Sequence, residues 1–211
     1  MADFAGLFDN CLNCFGFFGG DQPIFVVGHF CDLHPLAQFL VQLQKIEHGG
    51  IAGHVVQQPV DLSGLAFCAG GGLLILCGKR LLRLPPGAKE AEPLCAVEAE
   101  LPGNNPNDGK VDPQGRFWFG TMDAAAAKPS GALYRYARGR LEQMDSGFAC
   151  ANGLAWAPGG RTLYFVDMMP GHVLAYDFDG AAGRISNRRV FAQFDGSAGP
   201  PDGLCSDGEG G

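Results

Sequence analysis

The sequence predicts an all-β fold, a partial β-propeller of three to four blades preceded by an atypical segment. Three observations predict it. First, four segments share one plan: Gly64-LAFCAGGGLLIL, Gly109-KVDPQGRFWFG, Gly153-LAWAPGGRTLYFV and Gly203-LCSDGEGG, their leading glycines 45, 44 and 50 residues apart. A fixed period of this size is the mark of a repeat architecture. Second, 33 Gly and 14 Pro favour many tight turns over long helices. Third, each repeat holds four strand-like runs, the content of a propeller blade.

Each leading segment is an alternating apolar run, a Gly- or Pro-rich turn and a second run rich in aromatic or branched residues, which is hairpin chemistry. A third run follows every hairpin: Arg80-LLRL, Ala132-LYRYA and His172-VLAYDFD. A fourth follows that: Pro93-LCAVEA, Arg140-LEQM and Ile185-SNRRVFAQF. Three complete blades thus run from Ser63 to Asp202, and residues 203–211 begin another. A closed ring needs at least four blades, so open blade edges and self-association through them are expected. The chain divides at about residue 50. Residues 51–211 are the partial propeller, with His54-VVQQPVDL read as a closing strand of a preceding blade. Residues 1–50 do not join the repeat and read as helical or disordered, the product of a frameshift being one explanation. Within them Pro35-LAQFLVQLQKI has the spacing of an amphipathic helix.

Composition excludes several functions. A formal charge of −7 with no Lys/Arg cluster argues against nucleic-acid binding. No apolar run reaches the ~18 residues of a membrane helix, and neither a basic leader nor a cleavage site opens the chain. A cytoplasmic setting is expected. The eight cysteines have no framework spacing, and Cys11-Leu-Asn-Cys14 lacks the second pair a zinc knuckle needs. Cys68, Cys77 and Cys150 lie in apolar stretches and read as small buried thiols. No Ser-His-Asp constellation and no Gly-rich phosphate loop is present.

The chemistry converges on the innermost strands. The residue before each repeated glycine is Ser63, Asp108, Asn152 or Asp202, all with side-chain oxygen. Read singly, Asp-Gly and Asn-Gly are turn dipeptides. Recurring in one register, they are expected on the rim of the axial channel, where carboxylate and amide oxygens suit a hard divalent cation.

At these residues the chain resembles the gluconolactonase/regucalcin (senescence-marker) family of six-bladed β-propellers, which includes the luciferin-regenerating enzyme. The resemblance rests on Asn107-DGKVDPQGRFWFGTM, Asn152-GLAWAPGGRTLYFVD, Tyr176-DFDG, Gly183-RISNRRVF and Pro201-DG, in the family's order, and runs from about His54 to Gly211. It implies metal-dependent hydrolysis of a small-molecule sugar lactone. The metal implied is Ca²⁺ foremost, with Zn²⁺, Mg²⁺ or Mn²⁺ as alternatives. It also implies Asn152 and Asp202 as metal ligands, Asp202 as proton acceptor and donor, and Asn107 as a substrate contact.

Three departures stand out. The family's early Gly-Glu-Gly-Pro segment, source of a metal-binding Glu, is absent from residues 1–50. Asn105 occupies the substrate-contacting position where the family has Arg. Its substrate-contacting Glu falls on Ala125, with Asp123 the nearest acid. An inactive truncated fragment and a non-catalytic Ca²⁺-binding propeller are therefore the alternative readings.

Overall fold

A computed structural model describes residues 62–197 and 199–209. Twelve strands form three four-stranded antiparallel sheets, each a sequential meander. The first blade is β1 (Leu62–Phe67), β2 (Leu73–Cys77), β3 (Arg80–Leu84) and β4 (Glu92–Ala96). The second is β5 (Asn104–Val111), β6 (Phe117–Asp123), β7 (Gly131–Ala137) and β8 (Arg140–Phe148). The third is β9 (Ala151–Trp156), β10 (Thr162–Asp167), β11 (His172–Asp179) and β12 (Arg184–Gln193). The repeat boundaries expected from the sequence hold in all three. These sheets are blades of a β-propeller. The helix expected at residues 35–46 lies outside the described residues, and so does the closing strand expected at residues 54–62 except for its last residue, Leu62, which opens β1.

The middle blade explains how the blades cohere. Successive side chains on a strand point to opposite faces. On β6, Phe117 and Phe119 pack with Leu76, Leu81 and Val97 of the first blade, while Trp118 packs with Trp156, Leu163 and Phe178 of the third. Both faces of the sheet are buried, and so β6 reads as a continuous apolar run. Trp118 meets Trp156 edge-on with centroids 6.3 Å apart, and Phe178 at 5.8 Å. Burial of such side chains contributes about 1.5–3 kcal/mol each.

A polar clamp fastens the same two blades. Asp112, fully buried in the β5–β6 turn, accepts on Oδ1 from the Gln114 and Arg116 amides, each at 2.9 Å. Its Oδ2 accepts from Arg116 Nε at 2.6 Å and from Trp118 Nε1 at 3.0 Å. The Arg116 guanidinium then reaches the Gly180 and Ala181 carbonyls of the third blade. This clamp gives a physical reason for the Asp-Pro-Gln-Gly-Arg-Phe-Trp sequence.

The repeated glycines prove to lie inside strands. Gly64, Gly109 and Gly153 sit within β1, β5 and β9, so the turn-dipeptide reading does not hold for them. At Gly153 an added Cβ would lie 2.6 Å from the Asp202 carbonyl oxygen and collide with the Leu204 amide. The position is glycine because the next inner segment passes against its backbone. That segment is tied down by Gly153 N donating to Asp202 O (3.1 Å), Ser206 Oγ to Trp156 O (2.7 Å) and Lys110 Nζ to Leu204 O (2.9 Å).

Candidate metal and substrate site at the inner strands

Neighbouring innermost segments β1, β5, β9 and 202–206 place the expected site residues. Asn105 and Asn107 stand two apart on β5 and share one side of it. Asn107 Nδ2 donates to the Ala151 carbonyl of β9 at 2.8 Å and lies 3.9 Å from Cys150 Sγ. Its side chain therefore bridges two inner strands, with Oδ1 left to accept. Asn105, half-buried, takes no hydrogen bond from the described residues through its side chain.

Asn152 is 4% exposed. Its Nδ2 meets only the Met168 thioether, at 3.5 Å, and its Oδ1 accepts nothing from any described residue. The enclosed side-chain atoms without a partner among the described residues are Arg135 Nε and Trp156 Nε1, so Asn152 Oδ1 keeps contact with open space. An oxygen in that state fits a cation. Asp202 lies on the adjacent inner segment, its carboxylate exposed and unpaired among the described residues. The donor set of Asn152 and Asp202, oxygen atoms with one formal charge, thus fits a hard divalent metal.

The other two oxygens of the repeat register are turned elsewhere. Ser63 Oγ donates to the Pro106 carbonyl of the next inner strand at 2.9 Å, and Asp108 Oδ1 accepts from its own Gly109 amide at 2.7 Å. Asp123, the acid nearest the family's Glu position, organises the β6–β7 turn by accepting from Ala127 N at 2.9 Å. Among the described residues no three His, Cys, Asp or Glu side chains gather as a metal cluster.

Sulfur is the feature that residue-type reasoning missed. Cys150 is buried, as expected, but it faces the site: its thiol donates to Met122 Sδ at 3.4 Å. Gly120 makes this meeting feasible, because a Cβ there would strike Ala151 Cβ. The close approach lets the end of β6 bridge to Cys150 through Met122. Burial first, then the Asp167 and Asp202 carboxylates, push the Cys150 thiol above its ordinary range. Asp167 is itself buried and accepts from the Ala149 and Cys150 amides at 3.1 and 3.0 Å, which fixes the chain entering β9.

Behind the site, the buried Glu98 carboxylate accepts from Asn104 Nδ2, Thr121 Oγ1 and the Tyr134 hydroxyl at 2.9, 2.9 and 3.0 Å. It thereby fixes the start of β5 and the end of β6 beside Asn105 and Met122.

The family model described as the SMP-30/Gluconolactonase/LRE-like region matches residues 42–211. The chain belongs to this family. Regucalcin of Sus scrofa is 34% identical over 155 residues, covering 71% of this chain and 52% of that protein. Among solved structures, a regucalcin from Agrobacterium tumefaciens, described as a calcium-binding protein, superposes with a TM-score of 0.68 at 29% identity. It covers 74% of this chain and 54% of that one. A gluconolactonase from Xanthomonas campestris gives 0.56 at 29% identity, covering 71% and 54%. The chain spans about half the length of the relatives it matches.

Proposed function

We propose that this chain carries the proton-handling part of a divalent-metal-dependent hydrolase acting on sugar lactones. The observation that supports it best is the buried Asn152 amide, its carbonyl without a donor, beside the unpaired Asp202 carboxylate on the neighbouring inner segment. Family membership and the likeness to a gluconolactonase agree with it.

Asn152 Oδ1 and an Asp202 oxygen are the atoms that would hold the cation, Ca²⁺ foremost. Bound there, a divalent cation supplies polarisation of the lactone carbonyl and a lower pKa for water. Asp202, exposed to the channel, takes the proton of the attacking water on a carboxylate oxygen and returns it to the ring oxygen as the ester bond opens. Asn107, with Nδ2 committed to Ala151 O, holds a substrate hydroxyl through Oδ1 and limits the orientations of the ring. Asn105, neutral where the family carries Arg, offers hydroxyls a partner but gives a carboxylate no bidentate fork. Neutral sugar lactones suit this rim better than acidic ones.

The test is hydrolysis of a sugar lactone by the parent and Asp202→Asn, followed in a pH-stat with Ca²⁺. The substitution keeps an oxygen and removes the base, so the rate falls by the ~10²–10⁴-fold that general acid–base catalysis supplies. Undiminished hydrolysis with metal still bound would place the proton relay elsewhere. Binding of Ca²⁺ without turnover in the parent would favour a non-catalytic calcium-binding propeller.

A further inference from the structure

We infer that Glu98 is a positioning residue for sugar recognition: its buried carboxylate sets the two strand ends that present Asn105 at the rim. The inference rests on the hydrolase reading, in which Asn105 meets hydroxyls of the lactone. Glu98 is 7% exposed and lies in the link between the first and second blades. Its Oε2 accepts from Asn104 Nδ2 at 2.9 Å, and its Oε1 accepts from Thr121 Oγ1 at 2.9 Å and from the Tyr134 hydroxyl at 3.0 Å. Each of the two strands is thus pinned one residue before the rim. Asn104 precedes Asn105, and Thr121 precedes Met122, which pairs with Asn105 across β5 and β6. Side chains alternate along a strand, so holding Asn104 and Thr121 toward Glu98 turns Asn105 and Met122 to the opposite side. Asn105 has no described side-chain partner of its own, and its place therefore depends on that backbone.

Two observations set this carboxylate apart from ordinary packing. Among the described residues no basic side chain pairs with it, and a buried acid in that state is costly unless hydrogen bonds satisfy it. Three donors converge on it, the arrangement that an acceptor-only group suits. Glu98 also stands at φ 47°, a left-handed backbone that a non-glycine residue keeps only where its surroundings enforce it, and such positions cluster at functional sites. Lys79 Nζ supplies part of that enforcement by donating to the Glu98 carbonyl at 3.1 Å. Ser130 grips the other side of the Asn104 amide, through its hydroxyl at 2.7 Å and its carbonyl at 2.9 Å. Losing Glu98 therefore loosens Asn104 and its neighbour Asn105 without freeing them. Gln at this position keeps an acceptor for Asn104, while the Thr121 and Tyr134 hydroxyls can turn to accept from its amide; Leu keeps none.

The experiment measures KM and kcat for a sugar lactone in a pH-stat with Ca²⁺, and hydrogen exchange at the Asn105 and Met122 amides. Its variants of the full chain are Glu98→Leu, Glu98→Gln, Asn104→Ala and Tyr134→Phe; Asn104→Ala cuts only the arm to β5 and serves where Glu98→Leu does not fold. In Glu98→Leu and Asn104→Ala, KM rises about three- to tenfold, the worth of one hydrogen bond to substrate. Their kcat stays, because Asn152 and Asp202 stand on other segments. Exchange at Asn105 and Met122 quickens by about tenfold or more, the mark of local opening. Glu98→Gln returns KM and exchange to parent values. Tyr134→Phe lowers the urea midpoint but takes no donor from β5 or β6, so KM and exchange hold. A KM rise in Tyr134→Phe equal to that in Glu98→Leu would reduce Glu98 to a structural role. Unchanged exchange at Asn105 and Met122 in folded Asn104→Ala would overturn the positioning outright. A parent that hydrolyses no lactone sinks the hydrolase reading, and the exchange comparison then decides the positioning alone.

Discussion

Replacing Asp112 by Ala removes a fully buried carboxylate that receives two backbone amides, the Arg116 guanidinium and the Trp118 indole. Two of those donors would then sit in the blade interface without their acceptor. Breaking a buried ion pair by deleting one partner costs about 3–5 kcal/mol. The lower end applies here, because Arg116 is 14% exposed and keeps Gln114 and the carbonyls of the third blade. With a urea slope of about 2 kcal/mol/M, a loss of ~3 kcal/mol moves the unfolding midpoint down by about 1.5 M. Tryptophan emission is the assay, since Trp118 loses its hydrogen-bond partner and Trp156 packs against it. The control is Asp177→Ala, whose pair with Arg189 is about half exposed on both sides. It should leave the midpoint indistinguishable from the parent's. An Asp112→Ala midpoint likewise indistinguishable would refute the claim that this carboxylate fastens the second blade to the third.

Two further outcomes follow from the same packing. Burial first, and the Asp145 carboxylate second, raise the Tyr176 hydroxyl far above the ordinary tyrosine range, and burial with Glu98 does the same for Tyr134. Both raised values mean that the stability these tyrosines contribute is whole below pH ~10 and is lost above it, where the unfolded chain ionises first, by about 1.4 kcal/mol per pH unit per tyrosine; Tyr176→Phe should lower the alkaline slope in urea melts by one tyrosine's share, the also raised Tyr136, Cys68, Cys95 and Cys150 keeping theirs, and an unchanged slope would contradict the assignment. Val190, Phe191 and Phe194 are 53, 63 and 45% exposed on and just after β12, and such a patch invites association; sedimentation should show concentration-dependent self-association that Phe191→Ser reduces, whereas a monodisperse monomer at all concentrations would count against it.

The strands were legible because turn chemistry and alternation agree in every repeat, and the second run of each hairpin stood out as rich in aromatic or branched residues. The repeated glycines pointed to the right strands for an incomplete reason. Read singly they suggested turn dipeptides, but Gly153 answers to a backbone packed against it, a tertiary contact that carries no local signal. The site was legible only in part. Asn152 and Asp202 stand on adjacent inner segments as the register implied. Ser63 and Asp108, the same kind of residue in the same register, turned to backbone partners instead. A side-chain oxygen beside a free carbonyl or amide takes the nearer partner, and periodicity does not show which one is nearer. Cys150 was hidden for a related reason: flanking apolar residues announce burial, but whether a buried thiol faces core or channel depends on Met122 and Asn107, 28 and 43 residues away in the chain.

The central claim, that Asn152 and Asp202 form the oxygen pair of a cation site, is tested most directly by titrating Ca²⁺ into the parent and into Asn152→Leu by calorimetry. With one formal charge in the described donor set, the parent should bind with a dissociation constant of about 10⁻⁴–10⁻³ M, the range of weak calcium sites. Asn152→Leu, similar in size but without the carbonyl, should give no saturable heat while its urea midpoint shows that it still folds. Equal binding by folded Asn152→Leu and parent, or no binding by the parent at all, would contradict the site.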